Sequence, residues 1–258
     1  MKKIDLNADM GESFGDWRMG HDSALLDIVT SANIACGFHA GDPDVMAKTM
    51  RQAVEKGVGL GAHPGFADLQ GFGRRRLALP ASSLRNMVQY QLGAAQAMAK
   101  AAGGQLRHFK LHGALANMAS EDAELARICY GAALEIDPDL VVVVIAATAQ
   151  QQAAEALGCH WAGEIFADRA YNTDATLRAR HLDGAVISDP EAAAARVVDM
   201  VQSGMIISHS GHEIPARIDT VCLHGDGKTA LAIARAVRIA LEAAGLRLCQ
   251  MHGRGRTP

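Results

Sequence analysis

The side chains able to do chemistry are spread singly along the chain: Asp9, Glu12, His39, His63, His112, Glu164, Asp168, His224 and Asp226, with Lys110 and Arg169 as accompanying cations. Imidazole exchanges a proton near neutral pH, and carboxylates are its common partners in acid and base catalysis. Asp9 or Glu12 would take a proton from water, while His39, His63, His112 and His224 would donate protons or stabilise developing negative charge. The same groups bind divalent cations through neutral imidazole and ionised carboxylate. A divalent metal is therefore one expectation, with Asp9, His39 and His63 as the first ligand set, although no H-E-x-x-H or other strict ligand spacing is present. His108 and His112 are four apart in an extended run, which separates them by ~13 Å and keeps them from sharing an ion.

Other chemical motifs fail on context. Gly11-Glu12-Ser13-Phe14-Gly15 spells G-x-S-x-G, but Asp16 to Gly20 has no helical periodicity, so Ser13 does not stand on a strand-to-helix elbow. Gly227-Lys228-Thr229 matches the end of a P-loop, yet Cys222 stands where the first glycine belongs. Among Arg74, Arg75 and Arg76, one is expected to hold an anion and the others to form a solvated charge run.

Strands must position these residues. Ile4 to Met10 alternates apolar and polar, with Asp5, Asn7 and Asp9 on one face. Ser31 to Asp44, SANIACGFHAGDPD, reads as a strand reaching His39, with Asn33 and His39 on one face and Ile34, Cys36 and Phe38 on the other. A helix then begins at Pro43 under an Asp42 cap. Val58 to His63 also ends in a histidine, and Leu106 to Leu115 puts His108, Lys110 and His112 on one face. Leu140 to Ile145 is apolar on both faces, Glu164 to Arg169 carries Glu164 and Asp168, and Asp219 to His224 aligns Cys222 with His224 and Asp226. Helical patterns separate the strands, including a short one from Ser23 to Val29, one capped by Ser120 and another capped by Asp189.

This alternation calls for an α/β fold with a parallel sheet. A doubly wound sheet is covered by helices on both faces and should be apolar on both, whereas these strands carry polar residues on one. The expected fold is a TIM-barrel-like (β/α) barrel of about seven mostly parallel strands, with its site at their carboxyl ends. It would form a single domain over residues 1–250, with an inserted hairpin near 205–215 and a flexible tail at 251–258.

A formal net charge of −3 gives no electrostatic case for nucleic acid or an anionic membrane. The longest apolar run, Leu140 to Ala147, is far short of the ~20 residues of a membrane span. Acidic Asp5 and Asp9 interrupt what would be a signal-peptide core, and the 5 cysteines contain no C-x-x-C pair, so a reducing cytoplasm is the expected location.

The segments Leu6 to Glu12, SANIACGFHAGDP, GAHPGF with GFGRR, K-x-HGAL from Lys110, EIFADRAY from Glu164 and HGD at His224 together resemble the LamB/YcsF family. The resemblance implies a seven-stranded barrel of the glycoside hydrolase/deacetylase type. It also implies hydrolysis of 5-oxoproline (pyroglutamate) to glutamate, coupled to ATP cleavage, alongside two other 5-oxoprolinase subunits. In that setting Lys110 joins the catalytic set or grips the substrate carboxylate, and Asn7, Asn33, Glu164, Asp168, Arg169 and Asp226 are the expected substrate-binding residues. The competing readings are a stand-alone metal-dependent deacetylase or amidohydrolase, and a carrier subunit that binds a small acid without turning it over.

Overall fold

The computed structural model describes residues 2–224 and 229–251. β1 (Lys3–Met10) turns Ile4, Leu6, Ala8 and Met10 into the main apolar core and Asp5, Asn7 and Asp9 toward the opposite side. β2 (Ser31–Ala35), β3 (Gly59–His63), β4 (Leu106–Lys110), β5 (Val141–Ile145) and β6 (Trp161–Phe166) follow, each parallel to the one before. β7 (Met205–Ile207) and β8 (Glu213–Pro215) form a separate antiparallel hairpin. β9 (Thr220–Leu223) pairs in parallel with both β6 and β1, so that among the described residues seven parallel strands close into a barrel. β10 (Arg247–Leu248) adds a short pairing at the start of β1.

The helices are α1 (Asp22–Leu25), α2 (Pro43–Glu55), α3 (Ala81–Ala101), α4 (Gly113–Glu121), α5 (Ala123–Leu134), α6 (Ala149–Leu157), α7 (Pro190–Ser203) and α8 (Ala230–Ala243). Their apolar stripes pack on the outward faces of the strands as one continuous core. Among the described residues no helix is long and apolar enough to cross a membrane.

The barrel interior is polar and satisfied from within. At the amino end Asp5 accepts hydrogen bonds from Thr30, Ser31 and Thr220 at 2.5–2.7 Å. Burial nevertheless pushes its carboxyl up to about 6. One layer on, Asn7 donates to Thr220 and Glu164 while accepting from Asn33, whose amide oxygen lies 2.7 Å from His108 Nε2. Gly61 makes room for that ring: a Cβ there would stand 2.0 Å from His108 Nε2. β5 supplies the apolar sector through Val141 and Val143, which cluster with Ala162 and Met251.

Several boundaries differ from the sequence expectation, each for a local reason. β2 stops at Ala35 rather than His39, because Gly37 and Gly41 both take positive φ and fold residues 37–40 into a hydrogen-bonded turn. Phe38 still goes outward, stacking on Tyr90 of α3. β4 ends at Lys110, and His112 instead precedes α4, a helix absent from the sequence reading. Asp122, not Ser120, caps α5 by accepting from the Glu124 and Leu125 amides. β6 begins at Trp161 and ends at Phe166, leaving Asp168 and Arg169 in the following loop. α1 is shorter than the expected 23–29 helix. Beyond Met251, the expected tail lies outside the described residues.

The interior packing yields a paired stability test. A Cβ on Gly163 of β6 would lie 2.0 Å from the Arg217 carbonyl oxygen, whereas Gly131 of α5 faces open space. Gly163→Ala should cost at least ~1–3 kcal/mol by overpacking, and Gly131→Ala should gain ~0.5–1 kcal/mol from helix propensity. Urea unfolding of the two variants should therefore move in opposite directions.

Candidate active site

At the carboxyl ends of the strands lies a cavity of about 380 Å³. Asp9, Glu12, His63, Lys110, His112, Glu164, Arg169 and His224 all contribute to its lining. Asp9 projects from the end of β1, His63 and Lys110 are the last residues of β3 and β4, and His224 directly follows β9. His39 stands behind His112 and Asp168 beside His224, while Asn7 and Asn33 form the hydrogen-bonded layer beneath. Asp226 lies outside the described residues.

The centre of the site is the Lys110 ammonium. Its Nζ lies 2.8 Å from Glu164 Oε1, 3.0 Å from Asp9 Oδ1, 3.1 Å from Cys222 Sγ and 3.3 Å from Asn7 Oδ1. Burial works against the charged lysine, but Asp9, Cys222 and Glu164 more than offset it and hold the ammonium well above its usual range. Burial likewise works against ionised Asp9, yet the neighbouring His63 and Lys110 hold that carboxyl well below the carboxylate range. Lys110 thus has its donors committed inside the protein and serves as a counter-ion more than as a free grip for substrate.

Three imidazoles form the adjoining wall. His63 Nδ1 lies 2.9 Å from the Lys110 carbonyl oxygen, and its Nε2 is 3.4 Å from Asp9 Oδ2 and 3.0 Å from His112 Nδ1. His112 Nε2 in turn lies 2.8 Å from the Phe72 carbonyl oxygen. The His39 ring stacks on His112 with centroids 3.6 Å apart, and its Nε2 is 3.6 Å from Glu12 Oε1. Burial, helped by the adjacent rings, pushes His39 well below its usual range and His112 down to about 3, so both are neutral at physiological pH. The glycine loop after β3 exists to admit these rings: a Cβ on Gly65 would stand 2.8 Å from His39 Nδ1, and one on Gly73 2.7 Å from His39 Cβ.

The opposite wall carries a second arrangement. His224 Nδ1 sits 2.7 and 2.9 Å from the two oxygens of Asp168, and its ring stacks on Phe166. Burial favours neutral Asp168, but His224, Arg180 and Arg169 keep the carboxyl below its usual range. This fixes the imidazole tautomer and leaves the other nitrogen as a proton acceptor. Arg169 is buried with Nη2 donating to the Arg178 carbonyl and Nε unpartnered; burial and the like charge of Arg180 lower it to about 10. Arg74 and Arg180 line the same cavity, which suits an anionic ligand.

Sequence reasoning passed over Arg180, whose segment carries no regular period, and Phe166, which strand alternation puts on the same face as Glu164 and Asp168. It also missed Cys222 as a partner of Lys110, although strand alternation had put the thiol on the correct face.

Two sets of side chains bring potential metal-binding atoms within 4.8 Å of one another: Glu12, His39, His63 and His112, and Asp9, Cys222 and His224. Both His39 ring nitrogens are buried without a hydrogen-bond partner, a donor set that fits a cation.

The LamB/YcsF family model matches residues 4–255. The chain belongs to the LamB/YcsF family. Within it, a 5-oxoprolinase subunit of Ruegeria pomeroyi is 63% identical over 246 residues, covering 95% of this chain and 97% of that protein. The crystal structure of the lactam utilization protein from Thermus thermophilus superposes with a TM-score of 0.90 at 44% identity, covering 96% of this chain and 100% of that one. The catalytic domain of a peptidoglycan N-acetylglucosamine deacetylase from Eubacterium rectale shares the fold at a TM-score of 0.52 and 12% identity, over 99% and 94% of the two chains.

The charge balance around Lys110 sets a pH-dependent outcome. In the wild type, Asp9 has a folded pKa below its unfolded one; its contribution to stability is present above the unfolded value and lost as pH falls through the folded value. Lys110→Met removes the counter-ion, so burial should raise Asp9 instead. The variant should lose ~3–5 kcal/mol at pH 7, and the deficit should shrink as the medium is acidified and the carboxyl protonates. Urea unfolding at pH 7 and pH 5 checks this, and an equal loss at both would contradict it.

Proposed function

We propose that this chain is the ring-opening subunit of an ATP-dependent 5-oxoprolinase, converting 5-oxoproline to L-glutamate in the cytoplasm together with two other subunits. The observation that carries this reading is near full-length identity of 63% to a protein named as a 5-oxoprolinase subunit. The cavity adds support: it combines ionised carboxylates, a carboxylate-anchored imidazole and an arginine wall suited to a small carboxylic acid.

A five-membered lactam is a resonance-stabilised amide with a poor leaving group. ATP cleavage, carried out with the partner subunits, would activate the ring. At this site water adds to the ring carbonyl carbon, the carbon–nitrogen bond breaks, and the nitrogen leaves with a proton to give the amine of glutamate. His224, its Nδ1 anchored on Asp168, takes the water proton and returns one to the nitrogen. Asp9, kept ionised by its surroundings, orients the water and stabilises the positive charge that builds on the imidazoles. Arg169, with Arg180 beside it, binds the substrate carboxylate. A divalent cation on Glu12, His39, His63 and His112 would add Lewis acidity at the carbonyl oxygen.

Combining the purified chain with its two partner subunits, ATP and 5-oxoproline tests the reading. Glutamate should form only with all components present, and His224→Asn should lower the rate by ~10²–10⁴-fold. Glutamate released by this chain alone without ATP would favour a stand-alone amidohydrolase instead.

A further inference from the structure

Hydrogen bonds fix the tautomers of two facing histidines. A backbone carbonyl only accepts, so His63 Nδ1, at 2.9 Å from the Lys110 oxygen, must carry that ring's proton. By the same logic His112 Nε2, at 2.8 Å from the Phe72 oxygen, carries the other. His112 therefore offers a lone pair at Nδ1, and a neutral His63, with its one N–H on Nδ1, would offer another at Nε2 across 3.0 Å. Asp9 Oδ2 stands 3.4 Å from the first nitrogen and Glu12 Oε1 3.8 Å from the second. In that form electron pairs converge with no donor between the two rings.

A proton or a metal ion would resolve the conflict. One proton could bridge the two rings, but it would leave both nitrogens of buried His39 without a partner. An ion would also take one of the two His39 nitrogens. Three of the separations among these atoms are 3.0–3.8 Å, close to those of ligands bound ~2.0–2.2 Å from a shared metal, and all lie within 4.8 Å.

The other candidate set, Asp9, Cys222 and His224, already has its cation. Lys110 Nζ lies 3.0 Å from Asp9 Oδ1 and 3.1 Å from Cys222 Sγ, and an ammonium in that position repels a second charge. We propose that the chain binds one divalent transition-metal ion through Glu12, His39, His63 and His112, and none at Cys222. Three imidazoles with one carboxylate select ions of the zinc, cobalt or nickel type over magnesium and calcium, which prefer all-oxygen shells. The assignment stands apart from the ring-opening reading, since its readout is binding.

Chelator-treated full-length protein titrated with cobalt(II) tests it by visible spectroscopy, together with equilibrium dialysis against zinc. One ion per chain is expected, with visible d–d bands, no thiolate charge-transfer band, and a rise in wild-type Tm on metal addition. His63→Gln and His112→Gln should each weaken binding by more than the ~10–100-fold that loss of an outer partner costs, and Cys222→Ser should leave affinity unchanged. Failure of the folded wild type to bind stoichiometric metal would overturn the proposal. So would a thiolate band that disappears with Cys222→Ser.

Discussion

The buried Lys110 ammonium is the constraint on which the rest of the structure depends. Lys110 and its partners come from four strands: Lys110 from β4, Asp9 and Asn7 from β1, Glu164 from β6 and Cys222 from β9. Only a closed barrel brings those strands around one point. A cation inside a protein is tolerable when opposite charges and hydrogen bonds surround it, and costly when one of them is missing. Closure of the sheet and charge at its centre therefore require each other. The polar column below, from Asn7 and Asn33 down to Thr220 and Asp5, continues the same logic by letting every layer hydrogen-bond to the next.

Above that centre, two walls divide the chemistry. One is a packed group of imidazoles whose ring nitrogens meet beside Glu12 and Asp9; the other is an imidazole tied to Asp168 and backed by arginines. The first depends on glycine for its existence, because Gly65 and Gly73 leave the volume that the His39 and His112 rings fill. A long glycine-rich loop that looks flexible in sequence is thus a tightly packed part of the site. Asp9 joins the two walls, with one oxygen on Lys110 and the other toward His63.

Much of this was legible in the sequence because strand alternation reports directly on which side chains face a barrel interior. Asp9, Asn33, His63 and Lys110 follow from it, as does the closed barrel itself. The boundaries that were misread are places where backbone geometry overrides pattern. His39 comes to stand behind His112 from a turn that Gly37 and Gly41 impose, and His112 reaches the cavity from the start of a helix whose first residue, Gly113, has positive φ. The loop after β6 was opaque for a different reason: Asp168 is placed by His224 and Arg169 by the Arg178 carbonyl, contacts that no local period encodes. The approach of the His63 and His112 rings was likewise invisible, since their orientations depend on one backbone carbonyl at the end of β4 and another in the glycine loop.

The site turns on Asp9, whose carboxyl His63 and Lys110 hold well below the usual carboxylate range. A carbon-13 NMR titration of the Asp9 carboxyl, assigned by its loss in Asp9→Asn, measures this directly. The resonance should keep its ionised shift as pH falls through the ordinary aspartate value of ~3.9. A midpoint at or above that ordinary value would contradict it, and would mean that Lys110 and His63 do not govern the site.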